Sequence, residues 1–290
     1  MNDIWSSQIQ GIDTLYLTRR LRFCDFFAAQ YRALFRLDEE KPLRILEIGC
    51  GPGALSGALR RWYPHAEITA IDRDSAFIEF AGAHEPGIGF VEGDATALPF
   101  EDGAFDVTIS NTVCEHIEPA KFYGEQRRVL KEGGVCLVLS SRKGINITAK
   151  CLAEDEFERT FWEKIGAMDD SFEKYGVARY AMAEDELAAA MAQYGFRDAT
   201  TGYAIADLTP DDPKYPREMA LSMIEANRRG RLESIGLSRL VSNGAIEEHE
   251  FDEMARRVNV KFDLRAAQYE RGEKQWDTNV SVIMVVRGVK

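Results

Sequence analysis

Leu43 to Ile48 is a short, mainly apolar run that stops at Gly49-Cys50-Gly51-Pro52-Gly53, and a helix is expected to begin near Ala54. Polar residues do not alternate along the run, so it reads as a strand buried on both faces, as in a parallel sheet. A strand feeding a helix through a glycine turn is half of a βαβ unit, and further strand-like runs follow at Glu67 to Ile71, Ile88 to Val91, Phe105 to Ser110 and Val135 to Ser140. Helical or turn-rich stretches separate them. The rhythm predicts an α/β, doubly wound, Rossmann-like sheet with helices on both faces.

The remainder of the chain is arranged around that sheet. Leu15 to Leu37, rich in Arg and aromatics, predicts a helix before the first strand, within an N-terminal helical cap over 1–41. Glu154 to Met168 places Phe157, Phe161, Ile165 and Met168 on one helical face, and Glu184 to Tyr194 is helical with Gly195 as its C-terminal cap. Two late strands are expected at Ala199 to Ala206 and Val280 to Val286. Between them, 207–275 reads as a helical insertion: Met219, Met223 and Ile224 recur at helical spacing, as do Phe251, Met254, Val258 and Phe262, with a turn at Asn243-Gly244. Those stripes must cover the sheet edge, a substrate or a second subunit, so a homodimer through the insertion is one expectation. The whole of 1–290 is read as a single domain.

Charge narrows the partners. Asp and Glu outnumber Lys and Arg by 48 to 36, and a net charge of −12 repels polyphosphate, so no nucleic-acid partner is expected. Met1 to Gln10 has no signal-peptide pattern and no stretch approaches the roughly 18 apolar residues of a membrane span, so a cytoplasmic location is expected. Five cysteines form no CxxC pair and four histidines are scattered, so no metal is expected and the thiols are read as reduced.

Glycines let the loop turn sharply and bring the backbone close to a ligand. With Ala54 in the last position, the segment fits the GxGxx(G/A) dinucleotide fingerprint. Asp72 ends the second strand nineteen residues beyond Gly53, where a carboxylate accepts from ribose hydroxyls of either a nicotinamide dinucleotide or S-adenosylmethionine. After the third strand, Asp94 can accept the exocyclic amine of adenine and the Ala95 amide can donate to a ring nitrogen. The plainer alternative makes Asp94 a turn or cap acid.

Taken together, Leu46-Glu47-Ile48-Gly49-Cys50-Gly51-Pro52-Gly53, Ala70-Ile71-Asp72, Gly93-Asp94-Ala95-Thr96-Ala97-Leu98-Pro99-Phe100, Phe105-Asp106-Val107-Thr108-Ile109-Ser110-Asn111 and Val129-Leu130-Lys131-Glu132-Gly133-Gly134 resemble the class I S-adenosylmethionine-dependent methyltransferases. Within that class the chain resembles the group containing ubiquinone and menaquinone methyltransferases (methyltransferase type 11). The resemblance spans about 43–140 and implies a seven-stranded sheet whose last strand is antiparallel. It implies that Glu47, Gly49, Gly51 and Gly53 surround the amino-acid part of S-adenosyl-L-methionine, with S-adenosyl-L-homocysteine as product. It further puts Asp72 on the ribose, Arg73 beside the adenine, Asp94 and Ala95 on the adenine edge, and Asn111 near the methionine carboxylate or the methyl group. Ser110-Asn111-Thr112-Val113 stands where amide and exocyclic-amine enzymes carry Asn/Asp-Pro-Pro-Tyr, which disfavours nucleobase or glutamine acceptors.

A sulfonium methyl is already a strong electrophile, so alignment and exclusion of water are the protein's main tasks. His116, just beyond the fourth strand, is the candidate general base if one is used; the alternative is a histidine that packs near the cofactor. Tyr16, Arg19, Arg20 and Arg22 before the first strand, and Arg142, Lys143, Arg179 and Tyr180 in or after the fifth-strand connection, form the group from which acceptor binding is expected, with Tyr16, Arg20, Arg142, Arg179 and Tyr180 the chosen candidates, since arginine binds anions through paired donors. The expected partner is a small-molecule acceptor, anionic or aromatic. The rivals are an RNA or protein methyltransferase, a cofactor-binding protein without transfer, and an NAD-dependent oxidoreductase.

Overall fold

The computed structural model describes residues 5–167, 177–242 and 244–290. Met168 and Asn243, which ended the expected α-helix and opened the expected turn, lie outside them. Seven strands form one sheet: β1 (Arg44–Ile48), β2 (Glu67–Asp72), β3 (Gly89–Glu92), β4 (Phe105–Asn111), β5 (Leu130–Ile147), β6 (Arg197–Asp207) and β7 (Thr278–Val289). Their order is β3-β2-β1-β4-β5-β7-β6, with β7 antiparallel to both neighbours and the first five strands parallel. The order reverses between β1 and β4, and a crevice opens there beyond the strands' carboxyl ends.

Helices α1 (Ile12–Arg22), α2 (Ala28–Phe35), α3 (Ala54–Trp62), α4 (Ser75–His84), α5 (Pro119–Val129), α6 (Glu156–Gly166), α7 (Glu184–Gln193), α8 (Arg217–Val241) and α9 (Glu248–Glu270) surround it. On one face Tyr31, Phe35, Leu59 and Trp62 pack on Ile45, Val107, Leu137 and Val285. Phe122, Tyr123, Leu187 and Met191 cover Cys136, Val138, Met284 and Val286 on the other. Three expectations change in detail. The single helix expected over Leu15 to Leu37 is two, because the chain turns at Phe23–Asp25 and bonds the Phe27 amide to the Cys24 carbonyl. Strand β5 runs seven residues past Ser140, because β7 continues to pair with it on the far side of a bulge at Arg142/Ile145.

The third change concerns the insertion. Met223 and Ile224 on α8, and Phe251, Met254, Val258 and Phe262 on α9, are buried. All but Met223, which joins the core under the sheet, pack with Leu152 and with Phe161 of α6. The stripes that prompted the homodimer expectation are thus covered by the chain itself. Deep in the joint, the guanidinium of Arg265, wholly buried, donates to Asp277 Oδ1 at 2.6 and 2.9 Å and to Asp211 Oδ2 at 2.8 Å. Asp211 also accepts from the amides of Gln275 and Trp276. This cluster ties α9 to the start of β7. Removing one member of such a buried ion cluster costs about 3–5 kcal/mol, because the remaining charge is left unpaired.

Candidate active site

Gly49, Gly51 and Gly53 all have positive φ (67°, 52° and 85°), which is why the turn after β1 can be so tight. A Cβ on Gly49 would stand 2.4 Å from Val113 Cγ2, and one on Gly53 would press on Ala81 and the Phe90 ring. The loop walls a cavity of about 430 Å³ at the switch point. Glu47, Gly49, Gly51, Asp72, Arg73, Asp94, Ala95, Asn111, His116, Arg179 and Tyr180 all line it. Gly53 does not: it is spent on close packing between loop and helices α3 and α4. Tyr16 and Arg20 lie outside it as well, since the Tyr16 hydroxyl donates to Glu85 at 2.7 Å and Arg20 rests over the Tyr16 ring. Arg142 also lies outside it, donating to the Met182 carbonyl at 2.9 Å, with Glu184 at 3.7 Å.

The acids carry the electrostatics. Asp72 accepts from the Gly51 amide at 2.8 Å and the Asp74 amide at 3.0 Å, so it orders the loop while facing the cavity. Burial raises its pKa, and those amides oppose the rise. Burial pushes Glu47 up to about 8 against a hydrogen bond from the Ser56 hydroxyl, and Asp72 and Glu85 add to the rise. Asn111 Oδ1 is buried and has no hydrogen-bond partner among the described residues. A carboxyl whose charge burial disfavours and an orphaned acceptor in one cavity suit a cationic donor, which would restore the carboxylate and satisfy the amide oxygen. Asp94 joins both readings: it accepts from the Thr96 amide at 2.7 Å, as a turn acid does, and it lines the cavity.

The cavity has a roof that sequence reasoning missed. The N-terminal turn Trp5–Ile9 is pinned by Ser6, whose amide and hydroxyl donate to Asp74 at 2.9 and 3.0 Å. Trp5 meets the His116 ring edge-on at 4.7 Å. His116 Nδ1 accepts from the Ala178 amide at 2.9 Å, which places the neutral ring's proton on Nε2. Acting as a base would require that contact to break. Thr112, also unforeseen, has a φ of 54°, costly for a β-branched residue, and its hydroxyl accepts from Arg19 at 2.9 Å. A β-branched residue just past a strand end gives no sequence sign of left-handed backbone. Arg19 stood in the basic stretch before β1, but its helical face could not be ranked against Arg20. Burial and the neighbouring Arg22 pull Arg19 down to about 9.

A second cavity of about 760 Å³ opens beyond this one. Trp5, Gln10, Arg19, Thr112 and His116 line both and form the neck between them. Helix α8, the far end of β5 and Trp162 wall the outer chamber.

Residues 46–138 match the methyltransferase domain of the type 11 family model. A malonyl-[acyl-carrier protein] O-methyltransferase of Methylococcus capsulatus is 39% identical over 99 residues, 32% of this chain and 35% of that protein. Phthiotriol/phenolphthiotriol dimycocerosates methyltransferase 1 of Mycobacterium ulcerans is 38% identical over 103 residues, 34% and 38% of the two chains. The chain thus spans little more than a third of the curated relatives it matches. Among solved structures, phosphoethanolamine N-methyltransferase 2 of Haemonchus contortus superposes with a TM-score of 0.54 at 17% identity, over 100% of this chain and 59% of that one, a likeness of fold. Residues 46–138 thus carry the methyltransferase domain that the family model describes.

Proposed function

We propose that the protein transfers a methyl group from S-adenosyl-L-methionine to a small-molecule acceptor held in the outer chamber. The observation that carries this reading is the orphaned Asn111 Oδ1 beside Glu47, a buried carboxyl answered only by the Ser56 hydroxyl among the described residues, in a cavity that also holds Asp72 and Asp94. They suit the α-ammonium, ribose hydroxyls and adenine amine of that one molecule, with Ala95 and Arg73 beside the base. The bound cofactor supplies an electrophilic methyl on a sulfonium. The chain's own work is to order the glycine loop through Asp72, to receive the ammonium on Glu47, and to shut out water with Trp5 and the Ser6–Asp74 strap.

His116 serves here as a wall of the neck beside Trp5, and a general base is not required of it. Walls of α1, α8 and β5 around the outer chamber favour a small molecule over RNA or protein. Aromatic Trp162 and Phe262 and the cationic Arg19 and Arg22 favour an acceptor that is anionic, aromatic or both. Calorimetry tests the cofactor: S-adenosylhomocysteine should bind in the micromolar range and NAD should give no heat. No binding of S-adenosylhomocysteine by folded protein would refute the reading.

A further inference from the structure

The outer chamber contains an arginine with no counter-ion among the described residues. Arg22 ends α1, is partly buried, and among the described residues has neither a carboxylate partner nor a hydrogen bond to another group. Burial lowers its pKa, as expected for a cation withdrawn from water without compensation. It lines both the outer chamber and a side cavity of about 230 Å³, and Ser141, Asn146 and Asn279 line the same two spaces. Asn146 and Asn279 are register partners on β5 and β7, and Asn279 Nδ2 donates to Asn227 Oδ1 at 3.0 Å. The other charged groups facing this chamber are answered from within or stand elsewhere. Asp277 is bound by Arg265, Glu233 accepts from the Gly11 amide at 3.0 Å, Arg231 is 3.4 Å from Glu154, and Arg19 belongs to the neck.

Resting on the proposed methyl transfer, we propose that the acceptor carries a carboxylate bound by Arg22 beside Ser141, Asn146 and Asn279, and that this carboxylate is a handle rather than the methylated group. Arg142 also lines the side cavity but is engaged by the Met182 carbonyl at 2.9 Å and Glu184 at 3.7 Å, so Arg22 with its hydroxyl and amide neighbours matches a planar monoanion better than a dianionic phosphate. Arg22 lies three residues beyond Arg19 on α1, a rise of about 4.5 Å, and it does not line the cofactor cavity. The bound anion is therefore held away from the neck, and the nucleophile is another atom of the same molecule.

The test uses the full chain loaded with S-adenosylhomocysteine and matched probes: phenylacetate, 3-phenylpropionate and 4-phenylbutyrate, their primary amides, and phenyl phosphate. Calorimetry should show the best acid binding at least fivefold tighter than its amide and tighter than phenyl phosphate. Arg22→Met should abolish that preference while S-adenosylhomocysteine affinity stays within twofold, and Arg22→Lys should keep part of it. With labelled S-adenosylmethionine, the acids should yield no alkali-labile methyl ester. No preference for acids, a preference that survives Arg22→Met, a stronger hold on phenyl phosphate, or methyl ester formation would each overturn the proposal. Failure of S-adenosylhomocysteine to bind the wild type would instead refute the methyl-transfer reading beneath it.

Discussion

The two halves of the site are built by different means. Around the cofactor cavity, the chain uses backbone: glycine turns, amides bonded to Asp72 and Asp94, strand ends fixed by the ladder. Around the outer chamber it uses side chains drawn from α1, β5, α6, α8 and β7, elements far apart in sequence. A backbone device tolerates almost no substitution at its few positions. A side-chain enclosure can change its lining while the scaffold persists, so one half can stay constant while the other is adapted to a new acceptor.

That contrast can be broken by mutation. Gly49→Ala should have the largest effect, because the left-handed φ and the overlap with Val113 act together. Binding of S-adenosylhomocysteine should fall at least a hundredfold by calorimetry, and an unchanged affinity would mean that the turn is not the cradle. Arg265→Met should come next. It leaves Asp211 and Asp277 buried and unpaired, so denaturant unfolding should show a loss of about 3–5 kcal/mol, while the surviving folded protein keeps its cofactor affinity within a few fold. Equal losses in both measurements would show that the halves are one cooperative unit.

The Glu47 carboxyl gives a pH test. Its folded pKa of about 8 lies above the ordinary glutamate value. Its contribution to the stability of the unliganded protein is therefore fully present below the ordinary value and is lost as pH rises from there through about 8. Glu47→Gln should accordingly raise the melting temperature at pH 8.5 by a few degrees relative to wild type, with little change at pH 5. Cofactor uptake near pH 7 should also release a proton from Glu47, visible as a buffer-dependent heat that Glu47→Gln lacks. The smallest effect is expected at His116. Replacing it with Gln, which keeps a donor, should lower single-turnover methyl transfer less than tenfold, whereas a drop of a hundredfold or more would restore the general-base role.

The lining of the inner cavity was largely legible in the sequence because its requirements are local. Tight backbone needs Gly49 and Gly51, and a strand ending in Asp72 needs only to be found. The lining of the outer chamber was not. Tyr16 and Arg20 look as suitable as Arg19 and Arg22 in a list of residues, and only the helical phase of α1 separates those that line the cavities from those that do not. Arg142-Lys143-Gly144 stands past the expected end of the fifth strand, yet β5 carries through it, with Arg142 paired to Val282 and the bulge falling between Arg142 and Ile145. The break at Phe23–Asp25 has no proline or glycine to announce it.

Strand β7 lies between β5 and β6 and is bonded to both, although the long hairpin of α8 and α9 separates it in sequence from β6. During folding, β6 has no place in the sheet until β7 arrives to bridge it, so the sheet closes by a late, non-local step of high contact order. Before that step the outer edge of β5, with Val135, Leu137 and Leu139, is an unpaired apolar edge of the kind that invites association between incomplete chains. The wall of the outer chamber formed by β5 and β7 is therefore among the last features of this molecule to exist.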